Sequence, residues 1–266
     1  MDVVFTPEHR GGSGSPMVCL HGFTDTWRTW ELVLPSLERR HDVLAPTLVG
    51  HAGGPPLTGA ITGKTFADEI ERAMDRAGFA TAHFVGNSLG GFVALQLAAR
   101  GRARSVVAFA PAGGMDVADP HFVEMVGSFA PTQERLRLAA PSAPALASTP
   151  EGRRAVTESI VESGDRVPAP LVAHMIAGVA ACVDVGPLVT YVLEHGYELD
   201  AAQITCPVRF VWGTADRLLP WPDAASGFRT GAFAFADWIE LAGVGHCPQL
   251  EVPTEAAALI LDFAAD

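Results

Sequence analysis

Apolar and polar residues alternate along this chain in two distinct rhythms. Short, chiefly apolar runs occur at 17–21, 42–45, 82–87, 105–110, 208–212 and 236–241. Runs of that length read as strands buried on both faces. Between them the period lengthens to that of a helix, at 27–39, 65–77, 89–100, 222–228 and 254–264. In 65–77, Phe66, Ile70, Ala73, Met74 and Ala77 share one face, Asp68, Glu69, Glu71 and Asp75 take the other, and Gly78 stands at the C-cap. The Gly/Pro-rich stretch 48–62 reads as a loop. Strands alternating with helices of this length predict an α/β fold, a mostly parallel sheet with helices on both faces.

The alternation stops after Pro111-Ala112-Gly113-Gly114. Residues 115–203 hold helical pieces broken by prolines and no convincing strand. The expected organisation is therefore one core, 1–114 and 204–266, interrupted by a helical cap at 115–203. Both ends of the insertion fall at the same sheet edge, so it is expected to act as a lid. Phe122, Met125, Phe129, Leu171 and Met175 are its candidate pocket-roof residues.

Composition narrows the partners. A net charge of −12 and a pI near 5.1 speak against nucleic acid and anionic membrane surfaces. No run of ~18 apolar residues predicts a membrane span. The N-terminus lacks a basic segment followed by an apolar one, so no signal peptide is expected. The four cysteines, Cys19, Cys182, Cys206 and Cys247, are scattered without C-x-x-C or zinc spacing. These features predict a cytoplasmic protein with reduced thiols, no metal, no cofactor and a small-molecule substrate. They say nothing of oligomeric state.

The chemistry concentrates in His83-Phe84-Val85-Gly86-Asn87-Ser88-Leu89-Gly90-Gly91-Phe92, where a strand signal ends in G-x-S-x-G and a helix signal follows at once. A serine there sits on a sharp, strained strand-to-helix turn with its Oγ exposed. A hydroxyl becomes nucleophilic only when a base takes its proton and a carboxylate orients that base. Of nine histidines, His246 has the fitting context, a glycine-flanked loop directly after a strand. His83 lies at the wrong end of its strand, and His21 and His51 read as structural. Asp216, in the turn after the 208–212 strand, is the expected acid, and Asp116 the competing one. The order Ser88, Asp216, His246 fits the nucleophile-elbow arrangement. Phe23 and Leu89 are expected to donate the two oxyanion N–H groups. Phe23, Leu89 and Leu218 join the roof residues as expected substrate contacts. Cys247 lacks an elbow and is not expected to be a nucleophile.

Together, His21-Gly22-Phe23, Leu48-Val49-Gly50-His51, Gly86–Gly91, Gly213–Pro220 and Gly245-His246-Cys247-Pro248 with Glu251 and Pro253 resemble the α/β-hydrolase family, from about residue 17 to the end. The resemblance implies a variable cap at 115–203. The family's N-terminal strands look shortened here to 3–6, so the sheet is expected to lose an edge strand. Ser88 implies an esterase, lipase, peroxidase-like or C–C hydrolase member, since dehalogenases and epoxide hydrolases of the family carry Asp there. Gly86-Asn87-Ser88-Leu89-Gly90-Gly91 resembles C–C hydrolases of ring-fission products. Those enzymes usually carry Trp after the catalytic histidine, where Cys247 stands, so a carboxylesterase is the preferred reading. A receptor-like relative that binds ligand with little turnover is the reading from another functional class.

Overall fold

Seven strands join in one sheet in the computed structural model, which describes residues 3–229 and 233–265. They are β1 (Glu8–Gly12), β2 (Ser15–Leu20), β3 (His41–Pro46), β4 (Ala82–Asn87), β5 (Ala103–Phe109), β6 (Val208–Gly213) and β7 (Asp237–Leu241). Their order is β1-β3-β2-β4-β5-β6-β7, with β1 antiparallel to β3 and every other neighbour parallel. The helices used below are α1 (Thr65–Ala77), α2 (Leu89–Ala99), α3 (Pro120–Gly127), α4 (Phe129–Ala139), α5 (Pro150–Thr157), α6 (Ala169–Ala181), α7 (Val185–His195) and α8 (Pro253–Phe263).

Period-two geometry sends successive side chains to opposite faces. Phe84, Val106 and Phe210 pack on one side with Ile70 and Met74 of α1 and Leu95 of α2. Val85, Val107 and Val211 pack on the other with Trp30, Leu37 and Ile260 of α8. Both faces are covered, which is why the strand runs look continuous rather than alternating. Helix α2 is apolar on every side and almost wholly buried, as expected for a helix enclosed all round.

Two local expectations change. Residues 27–39 form a 3₁₀ turn, Trp27–Trp30, then a short helix, Leu34–Leu37. Pro35 carries no N–H and fits only a first turn, so the helix must restart there. Residues 3–6 are not a strand. The edge strand is instead Glu8–Gly12, with an exposed and half-buried alternation and no apolar run to announce it. It is held by the β3 ladder and by Arg10, which pairs with Asp42 at 3.0 Å.

Between β5 and β6 the chain contains helices α3 to α7, a further short helix at Ala143–Ser148 and turns, with no strand. Cys182, Val185 and Val189 pack with Phe122 and Val126 in one cluster of this segment. No single described helix is long and apolar enough to cross a membrane.

Candidate functional site

Parallel strands point their C-terminal ends at one edge, and loops from β2, β4, β6 and β7 meet there. Ser88 follows β4 directly, with φ 55° and ψ −119°, a conformation that L-residues avoid. The turn tolerates it because its neighbours are small. A Cβ on Gly86 would collide with the Gly90 carbonyl. The strained residue is tied down: Ser88 N–H donates to Phe109 O at 2.9 Å, and its carbonyl accepts from Phe92 and Ala112, both at 3.1 Å. Helix α2 starts at Leu89, so its first N–H groups lack intrahelical acceptors.

Asp216 follows β6 and is buried. Its Oδ1 accepts the N–H groups of Leu218 (2.9 Å) and Leu219 (2.8 Å), which leaves Oδ2 for His246 Nδ1 at 2.7 Å. The buried Nδ1–H bond fixes the tautomer and leaves a lone pair on Nε2. That Nε2 is buried and has no protein partner. His246 and Ser88 line the same cavity, of about 710 Å³. Asp116 is exposed and accepts from Ala118 N–H, away from His246.

The His246 loop is fastened from two directions that the strand and helix patterns did not announce. Asn87 Nδ2 donates to the His246 carbonyl at 3.0 Å, while its Oδ1 accepts from Cys247 Sγ (3.3 Å) and Gln249 Nε2 (3.1 Å). The Glu251 carboxylate accepts N–H groups from Gly245 (2.9 Å), Glu162 (3.2 Å) and Ser163 (3.1 Å). Two of those donors lie in the 115–203 segment, and Cys247 N–H also reaches Ile160 O there at 2.9 Å. The signal for Asn87 is its place beside the nucleophile. For Glu251 it is an acid five residues after the histidine.

The other histidines sort by geometry. His21 Nδ1–H donates to Gly22 O (2.7 Å) and Nε2 accepts from Leu48 N–H (2.8 Å), which locks the Phe23 loop beside Ser88. Burial, then the neighbouring His51, pulls its pKa well below the usual histidine value. Burial likewise lowers His51 to about 4. His83 pairs with Ser105 at 2.8 Å at the far end of β4. The Cys247 thiol is pushed well above its usual range, by burial first and then by Asp25 and Asp216, so it is no thiolate nucleophile.

A second, smaller cavity of about 60 Å³ also reaches Ser88. Phe23, Phe129 and Leu218 border both spaces, Leu89 and Met125 only the smaller, and Met175 only the larger. Phe122 and Leu171 border neither. Phe122 packs with Val126 and Cys182, and Leu171 with Val172 and Ile176, so both are core residues of their segment.

The alpha/beta hydrolase family model matches residues 17–259. Epoxide hydrolase EphH of Mycobacterium tuberculosis is 32% identical over 197 residues, which are 74% of this chain and 92% of that protein. The 2-hydroxymuconate semialdehyde hydrolase of Pseudomonas sp. (strain CF600) is 32% identical over 133 residues, 44% of this chain and 47% of that protein. A thermophilic esterase from Thermogutta terrifontis superposes with a TM-score of 0.70 over 95% of this chain and 90% of that chain. At 20% identity the likeness speaks to fold alone.

Proposed function

The chain belongs to the α/β hydrolase family, and we propose that it is a serine hydrolase that cleaves carboxylic esters through an acyl-enzyme on Ser88. The observation that carries this reading is a serine on the strained elbow beside an aspartate-bound histidine with an unclaimed Nε2. Ser88 Oγ attacks the ester carbonyl as His246 Nε2 takes its proton. Asp216 stabilises the imidazolium without itself taking the proton. The Phe23 and Leu89 N–H groups face the developing oxyanion, and losing one such donor typically costs about 3 kcal/mol. His246 then protonates the departing alkoxide, and water repeats the sequence to free the acid. The helical segment 115–203 acts as the cap over this chemistry.

Similarity to an epoxide hydrolase does not carry that activity to Ser88. A carboxylate that opens an epoxide forms an ester, which water can cleave. A serine would form an ether, which the same machinery cannot. The second reading is C–C bond hydrolysis of a vinylogous diketone, favoured by Gly86-Asn87-Ser88-Leu89-Gly90-Gly91 and by the semialdehyde hydrolase relative. Cys247 in place of tryptophan weighs against it.

Initial rates on nitrophenyl esters and on a vinylogous 1,5-diketone, for wild type and Ser88→Ala, test the proposal. Ester turnover should exceed diketone turnover and fall by several orders of magnitude in the variant, with melting temperature unchanged. Retention of more than about a tenth of kcat is incompatible with a serine nucleophile. Stoichiometric binding with a single turnover would instead favour the receptor-like reading.

A further inference from the structure

Ser88 borders two chambers that differ in size and in how many polar side chains they offer. His246 lines only the larger chamber and Leu89 only the smaller. Proton transfer assigns them. Acylation breaks the ester C–O bond and forms a bond from Ser88 Oγ to the acyl carbon. The serine proton passes through His246 Nε2 to the departing alkoxide, so the alcohol must lie on the histidine side. The acyl chain stays on the other side, past the Leu89 N–H.

Resting on the serine-esterase reading, we infer that the substrate is an ester of a short apolar acid with a bulky alcohol that carries further hydroxyls, such as a sugar or polyol derivative. The smaller chamber holds about 60 Å³. At roughly 25–30 Å³ per heavy atom, that admits about two atoms beyond the carbonyl carbon. Its walls are chiefly apolar, including Phe66, Phe92, Met125, Leu188 and Val192, while Glu198 at its border repels an acyl carboxylate. The larger chamber, of about 710 Å³, is also lined mainly by apolar side chains, and among them Thr132, Arg135, Glu158 and Ser159 offer hydrogen-bonding groups of both kinds. Its cations and carboxylates are both represented, so neutral hydroxyls suit it better than a net charge. Phe23 and Phe129, whose rings meet edge-on at 4.9 Å, border both spaces.

The test uses two ester series on the full chain. The first is nitrophenyl acetate to decanoate. The second is butyrate esters of methanol, glycerol and glucose, read by acid release. Each series is run with Val192→Ala, which enlarges the small chamber, with Ala155→Trp, which narrows the large one, and with Ser88→Ala as control. Each added methylene should raise kcat/KM about fourfold while space remains. The peak should therefore fall near two to four carbons, with a drop of at least about tenfold at decanoate. Val192→Ala should move that peak to longer chains, shift all the butyrates by a common factor and leave their ranking by alcohol unchanged. Ala155→Trp should lower glucose butyrate selectively over methyl butyrate. Melting temperatures separate these effects from unfolding, and Val192→Leu supplies a second, opposite shift if Val192→Ala is unstable. Ser88-dependent hydrolysis with a decanoate optimum, or an acyl optimum that moves with Ala155→Trp, overturns the assignment alone. Absence of Ser88-dependent hydrolysis of every ester overturns the serine-esterase reading and the assignment with it.

Discussion

Replacing Glu251 by Gln removes the charge from a buried carboxylate that holds three backbone N–H groups. The amide keeps the shape, and its one carbonyl oxygen can take the place of Oε2 and still accept from Gly245 and Glu162. Its NH₂ then faces the Ser163 N–H, donor against donor. Hydrogen bonds to a charged group contribute about 1.5–3 kcal/mol each and neutral ones about 1. One bond lost and two weakened come to about 5 kcal/mol. For a chain of this size that lowers the melting temperature by roughly 10–20 °C. Catalysis should fall as well, because Gly245 precedes His246 and a shift on the order of 1 Å at a catalytic group can cost about 10² in rate. Glu251→Ala leaves all three donors without an acceptor and should cost more on both counts. Thermal unfolding by circular dichroism and kcat on the best nitrophenyl ester measure the two effects. A Glu251→Gln protein that melts within about 1 °C of wild type with unchanged kcat would refute the clasp.

Asp216→Asn should leave His246 in the wrong tautomer and lower kcat by about 10⁴, while Asp116→Asn, on an exposed turn, should change it less than about twofold; the reverse ranking would move the acid to the earlier strand. Acid should weaken the joint between α6 and the β2 loop, where His174 Nε2 meets Thr26 Oγ1 at 3.0 Å. Burial, and next the charge of Arg28, holds His174 down to about 4 against the opposing pull of Glu31. A depressed histidine pKa means that the unfolded chain binds the proton first. Its stability is whole above about 6.5 and is lost as pH falls towards 4, by about 3 kcal/mol in all. His51, also near 4, moves the same way, whereas Asp25, raised to about 6 by burial, moves oppositely. The wild-type-minus-variant difference for His174→Gln between pH 7.5 and 4.5 isolates the effect, and an identical pH response in both proteins would exclude it.

Where local chemistry and long-range packing agree, the elements were legible. Helix α1 has the predicted bounds, and Gly78 closes it in the left-handed region at φ 79°. Strand β4 also has its predicted bounds, because an uninterrupted apolar run buried on both faces has few alternatives. Strand β1 was not legible. Its residues are polar or glycine, and only the exposed edge of β3 gives them a ladder to join. The broken helix after Trp27 shows the converse, a periodic pattern overruled by one missing N–H at Pro35.

Sequence alone determined the α/β architecture, the elbow serine and the pairing of Asp216 with His246 as candidates, since each rests on neighbours within a few residues. Tertiary structure decided which residues share a space. Met125, Phe129 and Met175 reach the cavities beside Ser88, while Phe122 and Leu171, equally apolar in sequence, turn into their own segment's core. Glu251 gained its three donors only when Glu162 and Ser163 arrived from nearly ninety positions earlier in the chain. The reason is physical. Periodicity reports which side of an element is apolar, but both a core and a pocket wall satisfy that demand. Only the three-dimensional meeting of elements determines whether an apolar side chain faces protein or open space.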